Sequence, residues 1–159
     1  MTKPPLKLPA IDPTGVAPVA GSTYPGEFKP RVAGREKRKL GDALGLKNFG
    51  VNLTTMKPGS ASALRHAHAK QDEFVYIVSG ELVLVTDAGE QLLTAGLCAG
   101  FPAGKKDAHH LVNRSAHDAV YLEIGDRTPG DAVVYPDDDL AAQSIDGRWQ
   151  FTRKNGTPY

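Results

Sequence analysis

Apolar residues in this chain come in runs of four to six, and turn-forming residues interrupt them about every 8–12 positions. Runs that short match the ordinary length of a strand and are too short for a helix that buries a face. They are Phe49-Gly50-Val51-Asn52-Leu53, Leu64 to His68, Phe74-Val75-Tyr76-Ile77-Val78, Leu82 to Thr86, Gln91 to Thr94, His109 to Val112, Ala119 to Ile124, Ala132 to Tyr135 and Trp149 to Thr152. The run at Phe74 is β-branched and aromatic and closes on Ser79-Gly80; Asp87-Ala88-Gly89 is a second turn signal. Helical periodicity is poor throughout, and Asp138 to Gln143 is read as one helical turn at most. The pattern predicts an all-β sandwich or barrel.

The beginning of the chain has a different texture. Residues 1–30 hold Pro4, Pro5, Pro9, Pro13, Pro18, Pro25 and Pro30, and proline supplies no backbone donor to a ladder or helix. An extended arm over residues 1–40 is expected, draped over a partner subunit, followed by one β-barrel domain with a C-terminal tail over residues 41–159. A chain of 159 residues buries enough surface to fold without a disulfide or structural metal.

Charge excludes one class of partner. Lys+Arg is 19 and Asp+Glu is 18, without the basic excess of a nucleic-acid binder. A local exception is Arg31 to Lys39, with Arg31, Arg35, Lys37, Arg38 and Lys39 against Glu36. It is read as a solvated strand or turn, with a basic arm for a phosphate or an acidic partner as the alternative. Cys98 is the single cysteine; no intramolecular disulfide can form, and its small-residue surroundings suggest a packed core thiol in a reducing compartment. No apolar run approaches a membrane span and no signal-peptide core is visible. A soluble cytoplasmic protein, with no membrane partner, is expected.

Side chains that carry chemistry cluster in the middle of the chain. His66 and His68 stand one residue apart, so on a strand they share a face with Cα atoms roughly 6.5–7 Å apart. Two imidazoles at that separation can converge on one ion at ~2.1 Å. Glu73 opens the next strand and His109 a later one. Imidazole with carboxylate suits one divalent Fe, Mn, Zn or Ni ion, and no thiolate belongs to the set.

The spacing around these residues resembles the cupin superfamily. Its first motif is matched by Gly59, His66-Ala67-His68, Glu73 and Gly80, and its second by Gly96, Pro102-Ala103-Gly104, His109 and Asn113. The chain departs from the pattern by one extra residue between Gly59 and His66, and by four residues, Lys105 to Ala108, where the family has two. The resemblance implies a cupin double-stranded β-helix, or jelly roll, with a three-histidine, one-glutamate metal site in its mouth. His109 and His110 face opposite ways on a strand, and the spacing to Asn113 selects His109. The spacing to Gly80 likewise selects Glu73 over Asp72.

Tyr121 and Glu123 share one face of an apolar strand, where an acid is costly unless paired or functional. They are the candidate catalytic pair, with an exposed or ion-paired strand end as the other reading of Glu123. Lys105 and Lys106 are candidates for meeting an anionic ligand at the rim, and His117 is read as a surface residue. The expected function is a metal-dependent enzyme on a small oxygenated substrate, resembling a sugar-phosphate isomerase or an Fe(II) dioxygenase. The alternative is a non-catalytic cupin that binds a small ligand as a sensor. A homodimer is expected, because an open jelly roll leaves edges to cover.

Overall fold

The short runs fold as strands. The computed structural model describes residues 6–159. In chain order the strands are β1 (Val19–Ala20), β2 (Arg35–Lys39), β3 (Phe49–Met56), β4 (Ala67–His68), β5 (Glu73–Ser79), β6 (Glu81–Thr86), β7 (Gly89–Thr94), β8 (Cys98–Phe101), β9 (His110–Val112), β10 (Ala119–Asp126), β11 (Ala132–Tyr135), β12 (Leu140–Ile145) and β13 (Arg148–Thr152). A short helix, α1 (Leu40–Ala43), follows β2, and 3-10 turns occupy Pro13–Gly15 and Gly26–Val32.

The strands make two facing layers. One is a six-stranded sheet in the order β1-β2-β3-β10-β5-β8. The other combines the sheets β13-β12-β11-β4 and β7-β6-β9, which isolated bridges stitch together at His66↔His109 and Ala61↔Val112. All pairings are antiparallel. This is the all-β double-stranded β-helix, or jelly roll, expected from the sequence.

Period-two alternation decides what faces inward. On β5 the inward side chains are Glu73, Val75 and Ile77; on β10 they are Ala119, Tyr121 and Glu123. Read along these strands, the interior is apolar at one end and polar at the other. The apolar end is a cluster of Met56, Val75, Ile77, Leu82, Leu84, Leu93, Leu111, Ala119 and Tyr121. A second cluster, Phe28, Leu64, Val133, Tyr135, Leu140 and Ala142, lies under β11 and β12. Polar residues occupy the gap between them.

Several local readings change. Asp138 to Gln143 is not a helical turn: Leu140 and Ala142 alternate into the core as part of β12, and the adjacent Asp138 and Asp139 lie in the turn before it. Leu64 to His68 is a strand only over Ala67–His68, although His66 still bridges to His109. Cys98 is exposed rather than packed; it pairs with Tyr76 at the sheet edge, and Ala99 and Phe101 take the inward positions of β8. Within the described part of the expected arm, residues 6–40, β2 pairs along its length with β3, and Phe28 and Val32 enter the core. Arg35 is only 8% exposed, so it is not part of a solvated face. No helix among the described residues is long and apolar enough to cross a membrane.

Candidate metal centre

Three imidazole edges meet one carboxylate oxygen. Glu73 Oε2 lies 2.9 Å from His109 Nε2, 3.3 Å from His66 Nε2 and 3.6 Å from His68 Nε2. The elements explain the meeting. Alternation puts His66 and His68 on one face of the segment entering β4, and the bridge between His66 and His109 sets those residues opposite each other. Glu73 begins β5 in the other layer, across the barrel mouth. His110, on the far side of β9, turns away and hydrogen-bonds the Ala63 carbonyl through Nδ1 at 3.0 Å. Asp72 also turns away; its Oδ1 accepts from the Ala103 amide at 2.6 Å.

The outer nitrogens fix which imidazole edge is free. His66 Nδ1–H donates to the Leu64 carbonyl at 2.8 Å, and His68 Nδ1–H donates to Asp131 Oδ2 at 2.5 Å. Both bonds orient the rings so that Nε2 points inward, the edge that becomes a metal ligand once that nitrogen gives up its proton. Asp131 is fully buried and its other oxygen accepts the Lys70 amide at 2.7 Å. His109 is held differently: its ring stacks on Phe101 at 3.5 Å between centroids, and its Nδ1 is buried without a partner.

Ligand atoms of His66, His68 and Glu73 all lie within 4.8 Å of one another. That approaches the ~4.2 Å spanned by opposed ligands each ~2.1 Å from a common ion. These residues can therefore hold a metal ion. His109 stands outside that mutual set and joins it through Glu73. Burial works against a charged Glu73, yet hydrogen bonds from His109 and His66 hold its carboxyl well below the usual range. Burial lowers His109; His66 is also opposed by burial, but Glu73 outweighs it and raises the imidazole.

The centre opens into a cavity of about 210 Å³ between the two core clusters, lined by residues of both layers. Tyr121 and Glu123 line it, as do Arg35, Lys37, Tyr24 and Tyr135. Lys37 Nζ donates to Glu123 Oε1 and Oε2 at 2.6 and 2.9 Å, and Asn52 Nδ2 adds a bond at 3.2 Å. The Tyr121 hydroxyl donates to Glu123 Oε2 at 3.2 Å. Burial raises the Glu123 carboxyl, but the Lys37 ammonium more than offsets it, leaving the group below its ordinary value. Burial pushes the Tyr121 phenol well up. At neutral pH the pair is a carboxylate and a protonated hydroxyl. A second cavity of about 220 Å³ lies on the other side of His68, Glu73 and His109, and Lys105 lines it. Lys106 is exposed and does not line either cavity, and His117 is an exposed turn residue.

Asp131, Arg35, Tyr24 and Trp149 were not singled out as site residues from the sequence. Trp149 packs its ring edge-on to His68 at 6.1 Å. Asp131 follows Pro129-Gly130, a turn signal that carries no hint of a histidine 63 positions away. Arg35 had a signal, the basic run around it, but the run does not reveal which cation turns inward.

Residues 52–125 match the Cupin domain family. A sugar phosphate isomerase of the cupin superfamily from Silicibacter pomeroyi is 44% identical, covering 95% of this chain and 96% of its own, with a TM-score of 0.91. A protein from Acidithiobacillus ferrooxidans, provisionally assigned as a sugar phosphate isomerase, is 30% identical over 83% of each chain, with a TM-score of 0.75. A predicted oxalate decarboxylase from Thermotoga maritima shares the fold at 20% identity, over 75% of this chain and 99% of its own, with a TM-score of 0.60. No curated protein matches the chain.

Proposed function

The chain belongs to the cupin superfamily, and from that premise we propose that it is a metal-dependent isomerase of small sugar phosphates or closely similar oxygenated substrates. Similarity to the Silicibacter pomeroyi sugar phosphate isomerase over nearly the whole chain supports the substrate class. One observation carries the reading: Glu123, an ion-paired carboxylate hydrogen-bonded by the Tyr121 hydroxyl, lines the same cavity as His66, His68, Glu73 and His109.

His66, His68, Glu73 and His109 are proposed to hold one divalent Fe, Mn, Zn or Ni ion. Bound there, the ion supplies Lewis acidity and a template for adjacent substrate oxygens. The chain's own residues do the proton chemistry. Glu123, ionised at neutral pH, accepts the proton from the carbon beside the substrate carbonyl and returns it to the former carbonyl carbon, while the proton of the neighbouring substrate hydroxyl passes to the former carbonyl oxygen. The net change is an aldose–ketose interconversion with no proton gained or lost. Tyr121 keeps its own proton and holds Glu123 Oε2 in place, while Lys37 keeps the carboxylate charged between turnovers. Val75, Leu111 and Val133 also line the cavity, and these apolar side chains limit water at the reacting carbons.

The test is to load the full chain with each metal and follow sugar phosphates by proton NMR in deuterium oxide. Exchange at the carbon beside the carbonyl, lost in Glu123→Gln, is the expected result. Oxygen uptake by the iron form without isomerisation would favour a dioxygenase instead. Metal and ligand binding with neither activity would favour a sensor.

A homodimer is part of the same proposal. The outer face of the six-stranded sheet carries Phe74, Tyr76 and Val78 on β5, all exposed. Phe74 and Tyr76 pair in register with Ile124 and Leu122 on β10, which pair in turn with Val51 and Leu53 on β3. A contiguous apolar patch of this kind marks an association surface.

A further inference from the structure

We propose that Arg35 binds the anionic end of the substrate, a phosphate or carboxylate, inside the metal-centre cavity. The inference rests on the reading of that cavity as a substrate site and names the group that recognises the charge.

Arg35 is the first residue of β2, paired with Met56 on β3. Alternation sends Arg35 and Lys37 inward and leaves Glu36 exposed. The two inward cations have different circumstances. Lys37 is neutralised by Glu123 at 2.6 Å. The Arg35 side chain is 8% exposed as a residue, lines the cavity, and its Nε is buried with no hydrogen-bond partner. Glu123, the carboxylate on the same wall, is already engaged by Lys37, Asn52 and Tyr121.

A guanidinium buried without a partner is costly, and proteins rarely retain one without a compensating gain. Its planar fork matches the paired oxygens of a carboxylate or phosphate. Charge balance points the same way. Lys37 and Glu123 cancel, and Glu73 offsets half of a divalent ion, so Arg35 leaves the loaded cavity with a net positive charge. Tyr24 and Tyr135 also line it; burial keeps both phenols protonated, with the Arg35 charge acting the other way, so they are neutral donors beside the cation. At about 210 Å³, the space is below the ~300–1,000 Å³ of drug-sized pockets and suits a small ligand.

Two measurements on the metal-loaded full chain test this. The first is calorimetric affinity for D-glucose 6-phosphate, D-gluconate and D-glucose, which separates phosphate from carboxylate and both from a neutral sugar. Wild type should bind at least one anion more tightly than glucose. Arg35→Met should lose about tenfold or more of that anion's affinity with glucose binding and metal content unchanged, and Arg35→Lys should recover part of it. The second is the melting temperature without ligand. Removing a cation whose Nε is buried without a partner should leave it equal or raise it by a few degrees, on the order of 3 °C.

A lower melting temperature for Arg35→Met would make the residue structural and overturn the inference. So would an anion affinity within about twofold of wild type, a loss shared equally by glucose, or a loss produced instead by Lys105→Met. A wild type that binds neither anion also overturns it, even where a neutral sugar is isomerised. Anion binding that depends on Arg35 in a protein with no isomerase activity sustains it and removes only the isomerase reading.

Discussion

His68 shows how much of the centre depends on a residue that touches no ligand position. Asp131 holds His68 Nδ1 at 2.5 Å and so presents Nε2 to the interior. Partners of this kind are worth roughly 10–100-fold in metal affinity. Asp131→Asn should weaken metal binding by that order, measured by competition with a chromophoric chelator, while His66→Ala should abolish stoichiometric metal in elemental analysis. Metal retained by His66→Ala at the wild-type level would move the site elsewhere. The spacing His66-Ala67-His68 with Glu73 was legible because strand alternation makes it a same-face pair. Asp131 was not legible, because only the pairing of β4 with β11, Val133↔His68, brings its turn beside the histidine.

Among elements, β2 ties the first part of the chain to the site. Lys37 on β2 reaches over β3 to Glu123 on β10. A carboxyl held below its ordinary value of 4.5 stabilises the fold above that pH and loses the contribution as pH falls through the depressed value. Lys37→Met removes the depressing partner, so the acid-unfolding midpoint of the metal-free protein should move to higher pH, followed by circular dichroism. The neutral-pH stability should fall by about 2 kcal/mol, the order expected for a half-buried pair broken on one side. An unchanged midpoint would mean the pair is absent in solution. The turn between β5 and β6 is similarly restrictive. Gly80 has φ +75, and a Cβ there would lie 2.9 Å from the Asp118 carbonyl oxygen and 3.0 Å from Ala119 Cα. Gly80→Ala should cost about 1–3 kcal/mol in urea unfolding.

For the whole molecule, the outer sheet face makes the testable claim. Phe74, Tyr76 and Val78 are 39%, 39% and 45% exposed on one face of one strand, more than scattered surface apolar residues explain. Tyr76→Lys combined with Val78→Lys should turn a dimer into a monomer by light scattering, with the far-ultraviolet spectrum retained. A monomeric wild type at micromolar concentration would remove the dimer from the proposal. Cys98 pairs with Tyr76 on that sheet, so its reactivity toward a thiol reagent should rise in the same double variant.

The short alternating runs and the motif spacings settled the all-β class, the cupin fold and the histidine–glutamate candidates before any coordinates, because strand alternation and turn residues are local properties. Sequence also ordered the inner face of β10 as Tyr121 and Glu123. It did not show that Arg35 and Lys37 face that pair, that Cys98 sits outside, or that Asp138 to Gln143 leads into a strand. Those outcomes depend on which strands become neighbours: a basic run reads as solvated until β3 pairs with it and turns alternate side chains inward. The chain's local chemistry names the candidate ligands, and the long-range pairing of strands distant in sequence decides what surrounds them, because burial and charge compensation exist only once the layers close.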